Sequence, residues 1–160
     1  MLIDAVVINA SPLITLFRSN QFELLPRLFS RIIVPEAVWQ EVVSDQSDEA
    51  ARKLPAQPWL IREPVKASLR VEVWNLGKGE TAVLSYALSH PPLRAVIDDR
   101  DARRTAQALS IPIFGTGGLL LLAKRRCLLP SVSIGLEKLR DAGLWLSDDL
   151  IRLLKNQAGE

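Results

Sequence analysis

Cysteine is nearly absent from the chain, with Cys127 alone. A single thiol excludes an intrachain disulfide and argues against a zinc site built on cysteines. Long apolar runs are missing too. The longest, Leu119 to Ala123, falls far short of the roughly 20 residues that cross a bilayer. No basic segment followed by an apolar stretch opens the chain, so no signal peptide is expected. Asn9-Ala10-Ser11 matches the glycosylation sequon, but the match carries no meaning without secretion. A reducing cytoplasm and no membrane association are the expectation. Nor is there a strong excess of charge of either sign. Lys and Arg number 20 against 18 Asp and Glu, for a formal net charge of +2. That balance does not announce a nucleic-acid binder, so the placement of the charges matters more than their sum. There is no repeat and no low-complexity segment.

What is present fits one globular unit. At 160 residues the chain is expected to form a single domain, 1–160, with a core that needs no staples. Apolar residues make up 48% of it. That share, with tryptophans at 39, 59, 74 and 145, raises the expectation that a partner covers part of the surface. Basic residues gather at Arg100, Arg103 and Arg104 and again at Lys124 to Arg126. Several acids sit in apolar or glycine-rich contexts. This segregation suits a negative pocket with a positive rim.

Short β-rich runs alternate with helical patterns. Ala5 to Ile8 reads as a first strand, and Ser11-Pro12 as the N-cap and first position of a helix. A short helix is expected over Phe22 to Phe29. Arg31 to Val34 reads as a second strand, and Pro35 as the start of a helix through Val43. Ser47 to Leu54 reads as helical. From Pro55 to Asn75 the period is unclear, with room for one short strand. Gly77-Lys78-Gly79 starts a helix that ends before Pro91. Arg94 to Ile97 is a further strand, Asp99 to Leu109 a helix, and Ile111 to Phe114 a strand. A glycine turn then leads into a helix to about Arg126. Ser133 to Ala142 reads as helical, Leu144 to Leu146 as a last strand, and Ser147 as the cap of a final helix whose end is expected to fray. Strand–helix alternation implies an α/β fold with a mainly parallel, doubly wound sheet.

In such sheets ligands sit beyond the carboxyl ends of the strands. Asn9 and Ser11 follow one strand, Asp98 and Asp99 another, Gly115 and Thr116 a third. Glu41 and Glu80 lie on helices that could join them. A carboxylate cluster is costly without a cation. Mg²⁺ or Mn²⁺ relieves the repulsion with hard oxygen ligands and can activate water for attack at phosphorus. Plainer readings stand beside this one. Glu41 also fits an exposed helix charge, Glu80 a helix-dipole or capping residue, and Asp99 an ordinary N-cap. Arg100, Arg103 and Arg104 also fit a solvated stripe. His90, beside two prolines, reads as an exposed loop histidine. Asp98, directly after a buried strand, is harder to explain as structural.

Other motifs fail. Gly77-Lys78 is followed by Gly79 rather than Ser or Thr, so it is not a P-loop. Gly115-Thr116-Gly117-Gly118 has Leu120 where a dinucleotide fingerprint needs its last glycine, though the turn could offer N–H groups to a phosphate. A phosphoacceptor receiver domain also has an acidic pocket, but normally places its acidic pair after the first strand.

Taken in order, five segments resemble PIN domains: Val7 to Leu13, Pro35 to Glu41, Leu76 to Ala82, Val96 to Arg103, and Gly115 to Gly118 with the basic stretch before Cys127. The likeness runs from about residue 5 to 155, and the later segments resemble a prokaryotic PIN-like subfamily. It implies a three-layer α/β/α fold and Mg²⁺- or Mn²⁺-dependent RNA cleavage. Many relatives are toxins of toxin–antitoxin pairs, bound by a small antitoxin, and many form homodimers. By resemblance Asn9, Glu41, Glu80 and Asp99 would hold metal, with Asp98 beside them in the catalytic set. Ser11 and Thr116 would orient water or phosphate, and Arg100, Arg103 and Arg104 would meet the RNA backbone. One departure matters: the family's first acid is Asp, and Asn9 stands there. Asp4 cannot replace it, lying about 16 Å away along an extended strand. The departure raises a second reading, a catalytically weak or inactive RNA- or protein-binding module.

Overall fold

A computed structural model describes residues 2–160. Five strands form one sheet: β1 (Ile3–Ile8), β2 (Phe29–Pro35), β3 (Leu60–Glu63), β4 (Arg94–Val96) and β5 (Ile113–Phe114). Their spatial order is β3-β2-β1-β4-β5 and every pairing is parallel. Helices flank the sheet in a three-layer α/β/α arrangement. The central strands are buried on both sides, as Val6, Val7, Ile8, Ile32, Ile33, Val34, Ala95 and Val96 attest. This is why they read as unbroken apolar runs rather than alternating ones. Each such aliphatic side chain contributes about 1.5–3 kcal/mol on burial.

Ten α-helices lie among the described residues: α1 (Ala10–Arg18), α2 (Leu24–Leu28), α3 (Glu36–Val43), α4 (Glu49–Lys53), α5 (Leu69–Glu72), α6 (Lys78–Ser89), α7 (Arg100–Ala108), α8 (Thr116–Arg125), α9 (Val132–Asp141) and α10 (Asp148–Gln157). None is long and apolar enough to cross a membrane.

Sequence expectation and structure part in four places. The first helix begins at Ala10, so the cap position is Asn9 rather than Ser11, and the Asn9 side chain makes no capping bond. Phe29 belongs to β2, not to the preceding helix, because its ring packs in the core against Phe114. Leu144 to Leu146 is not a strand. Leu144 and Leu146 are buried while Trp145 points outward at 82% exposure, an alternation that mimics a strand without a neighbour to pair with. The end of the chain, expected to fray, is instead hydrogen-bonded: the Glu160 carboxylate caps α9, accepting from Val132 N–H at 2.7 Å, Ser131 Oγ at 2.8 Å and Ser133 N–H at 3.1 Å.

The register sets the functional edge. Ile8 pairs with Val96, and Val96 with Phe114. The ladder runs one step further, Asn9 N–H donating to Val96 O at 3.0 Å and Ile97 N–H to Phe114 O at 2.9 Å. Every strand runs the same way, but the strand order reverses between β1 and β4, so this is the switch point where a parallel sheet opens a crevice.

Candidate functional site

Three of the side chains singled out from sequence meet at that crevice. Asn9, buried at the end of β1, donates through Nδ2 to Glu80 Oε1 at 3.3 Å. Its oxygen, Oδ1, is buried and has no hydrogen-bond partner. Glu41 comes from the last turns of α3, and Glu80 from the first turn of α6, where the helix dipole favours a carboxylate. Gly79 lets them converge. A methyl group there would stand 3.1 Å from Asn9 Oδ1 and 3.4 Å from Glu41 Oε1, so any side chain would fill the pocket. The Glu41 carboxyl is held above its ordinary value, first by partial desolvation where it faces the pocket and then by the charge of Glu80, although the residue as a whole is exposed.

The second group lies across the switch point. Asp98 accepts twice from Thr116, from its N–H at 2.8 Å and from its hydroxyl at 2.5 Å. Those bonds tie the end of β4 to the start of α8 and occupy both carboxylate oxygens. Asp99, exposed, caps α7 by accepting from Ala102 N–H at 2.9 Å. Ser11 is exposed on the first turn of α1, where its carbonyl accepts from the Thr15 hydroxyl at 2.9 Å. The Arg103 guanidinium reaches 2.7 Å from where a Gly115 methyl would stand, with Asp98 Oδ1 3.4 Å from the same point. Arg100, Arg103 and Arg104 line an open groove of about 740 Å³ together with Asp98. Among the described residues no hydrogen bond or ion pair joins Asp98 or Asp99 to Asn9, Glu41 or Glu80.

Two participants escaped the sequence. Gly79 was visible only as part of a helix start, since close approach depends on which helix faces it. Trp145, which lines the same groove as the arginines, was expected within a strand.

Among the described residues no three His, Cys, Asp or Glu side chains cluster closely enough to hold a metal ion. The donors that do converge are two carboxylates and one amide oxygen. The orphaned Asn9 Oδ1 is the sharpest observation, because a buried acceptor without a partner forfeits a hydrogen bond's worth of stabilisation. An oxygen-seeking divalent cation fits this donor set: it would engage that atom and relieve the Glu41–Glu80 repulsion.

A three-layer α/β protein with an all-parallel sheet and an amide–carboxylate pocket at its switch point has the architecture of a nuclease-type fold. The family model described as a PIN domain matches residues 5–160, and the chain belongs to that family. No curated protein matches the chain.

Proposed function

We propose that the chain is a Mg²⁺- or Mn²⁺-dependent endoribonuclease, acting in the cytoplasm as the toxin of a toxin–antitoxin pair. The observation that carries this reading is the unpartnered Asn9 oxygen facing the same small space as Glu41, with Glu80 bonded to the same amide. Asn9, Glu41 and Glu80 would hold the metal, and Asp99 would reach it through water. When bound, such an ion supplies an activated water and charge neutralisation at phosphorus. The protein's own groups do the rest. Asn9 fixes the Glu80 carboxylate by its N–H. Asp98 holds Thr116 and so sets the first turn of α8, whose N–H groups suit a phosphate oxygen. Arg103, beside Asp98, offers a guanidinium to the RNA backbone. The partners of this reading are RNA, a second copy of the chain and a small antitoxin protein. The exposed Leu69, Val73 and Trp74 on and just after α5 support an apolar contact of that kind.

The test is cleavage of fluorescent RNA by the purified protein with Mn²⁺, against Glu80→Gln. Metal-dependent cleavage lost in the variant supports the reading; no cleavage with any divalent ion sinks it.

One observation favours the second reading, a binding module without catalysis. Asn9 is neutral, Asp98 is engaged by Thr116 and Asp99 by its helix, which leaves two carboxylates to hold a cation. Retained RNA binding without cleavage would select it.

A further inference from the structure

The groove beside α7 contains more than arginines. Asp98, Arg100, Arg103, Arg104, Gln107 and Trp145 all line it, and its volume is about 740 Å³. No side-chain hydrogen bond or ion pair engages Arg100, Arg103 or Arg104 among the described residues, so their charges are available to a ligand. Trp145 is the most exposed large apolar side chain among the described residues, at 82%. It is not loosely placed. Leu144 and Leu146 on either side are buried in the core at 9% and 8%, which fixes the backbone and presents the indole outward. Trp145 also lines a second hollow, together with Arg140 and Gly143. The ring therefore borders two hollows that both hold arginine, one of which also includes Asp98.

We infer that this groove is a track for single-stranded RNA, with Trp145 as a stacking platform for one base and the α7 arginines on the phosphates that lead to Asp98. The inference rests on the reading of the chain as an RNA-acting protein and adds a subsite to it, the Trp145 platform and the groove it shares with the α7 arginines. A flat, anchored, exposed indole among free guanidiniums matches what unpaired nucleotides require: a π-face for a base and cations for the backbone. A duplex keeps its bases stacked inside and cannot offer one to the ring. Tryptophan and arginine also serve protein interfaces. Here the three free cations and the continuity with the phosphate-acting edge favour a polyanion. Asp148 and Asp149, exposed at the start of α10, follow the groove residue Ser147 and mark an edge where a phosphate would be repelled.

The experiment is binding without catalysis. Anisotropy of a short fluorescein-labelled RNA is measured in EDTA with the full chain, separately from the cleavage assay. Trp145→Ala should raise Kd about 5- to 150-fold, the range of one stacked base, and Trp145→Phe should restore most of it. Because the ring is exposed, neither change should alter the melting temperature. Arg100→Ala and Arg104→Ala should each reduce the slope of log K against log salt by about 0.7. The same RNA as a duplex should bind more weakly. Binding that Trp145→Ala leaves unchanged, or a duplex bound as tightly as the single strand, overturns the track while leaving the acidic pocket to be judged by cleavage. Failure of the unaltered chain to bind RNA in EDTA overturns the track outright, and Mn²⁺-dependent cleavage in the other assay would still uphold the pocket.

Discussion

Asn9 and Glu80 lie 71 positions apart in the chain and meet at 3.3 Å, the amide nitrogen donating to the carboxylate. The bond fixes which way the amide faces. Its nitrogen is turned to Glu80, so its oxygen is turned away, buried and unpaired. A carboxylate at position 9 could not make this bond. The asparagine thus supports the pocket's resting geometry while bringing no charge to it.

Asn9→Asp therefore has opposite effects with and without metal. In EDTA the donor to Glu80 is lost and a third carboxylate enters the pocket, a change expected to cost about 1–3 kcal/mol. With Mn²⁺ the added charge should tighten binding and raise the melting temperature more than in the parent. RNA cleavage should rise, and adding Asp99→Asn should abolish the gain. Calorimetry with Mn²⁺ and a fluorescent RNA assay read these outcomes. If neither metal affinity nor cleavage changes, the pocket is not a metal site of this kind.

Gly79→Ala tests the same space by filling it. The new methyl would sit 3.1 Å from Asn9 Oδ1 and 3.6 Å from Val38 Cγ2. Alanine gains up to about 1 kcal/mol of helix propensity over glycine, so the tight contact, not the helix, sets any loss. The chain should stay folded while Mn²⁺ affinity falls at least about tenfold, a loss of about 1.4 kcal/mol. Unchanged affinity by titration calorimetry would place the ion elsewhere.

Glu41 gives the pocket a pH signature. Its carboxyl is raised from the usual 4.5, by burial and then by Glu80. A raised acid binds its proton more tightly in the folded state than in the unfolded one. Its contribution to stability is thus fully present below pH 4.5 and is lost as pH rises through the higher folded value. Glu41→Gln should remove that loss, so the metal-free variant should be the more stable at pH 7 and the two chains should converge in acid. Urea melts across this range in EDTA check it. A parent that is as stable as the variant at pH 7 would mean the Glu41 charge is well solvated.

Much of this arrangement was legible in the chain. Buried parallel strands announce themselves as apolar runs, and the residues just after them, Asn9, Asp98 and Thr116, fall on one edge by topology alone. What stayed hidden depends on pairing across sequence. Nothing local says that Asn9 turns its nitrogen to Glu80, that Gly79 faces both Asn9 and Glu41, or that both Asp98 oxygens are taken by Thr116. The alternation of Leu144, Trp145 and Leu146 has the period of a strand, yet only a neighbouring strand could make it one. The α9 cap lies 27 residues or more from Glu160, beyond the reach of any local pattern.

That cap yields the last prediction. Hydrogen bonds from the Ser133 hydroxyl, the Val132 N–H and the Ser131 hydroxyl hold the Glu160 carboxyl well below the usual carboxylate range. Lys124, on α8, adds its ammonium at 3.4 Å. One carboxylate thus ties the segment after α10 to the first turn of α9 and to α8, where it offsets the unpaired N–H groups of a helix start. A depressed acid stabilises the fold above its unfolded value and loses that contribution as pH falls through the folded one. Glu160→Gln should lower the melting temperature at pH 7, and the gap should narrow toward strong acid. Ser131→Ala removes one donor and also the hydroxyl that accepts from Ile134 N–H at 3.3 Å. In the double variant the two losses should therefore be less than additive. Strict additivity across the cycle, or a melting temperature at pH 7 that Glu160→Gln leaves unmoved, would show that the carboxylate rests on the helix without holding it.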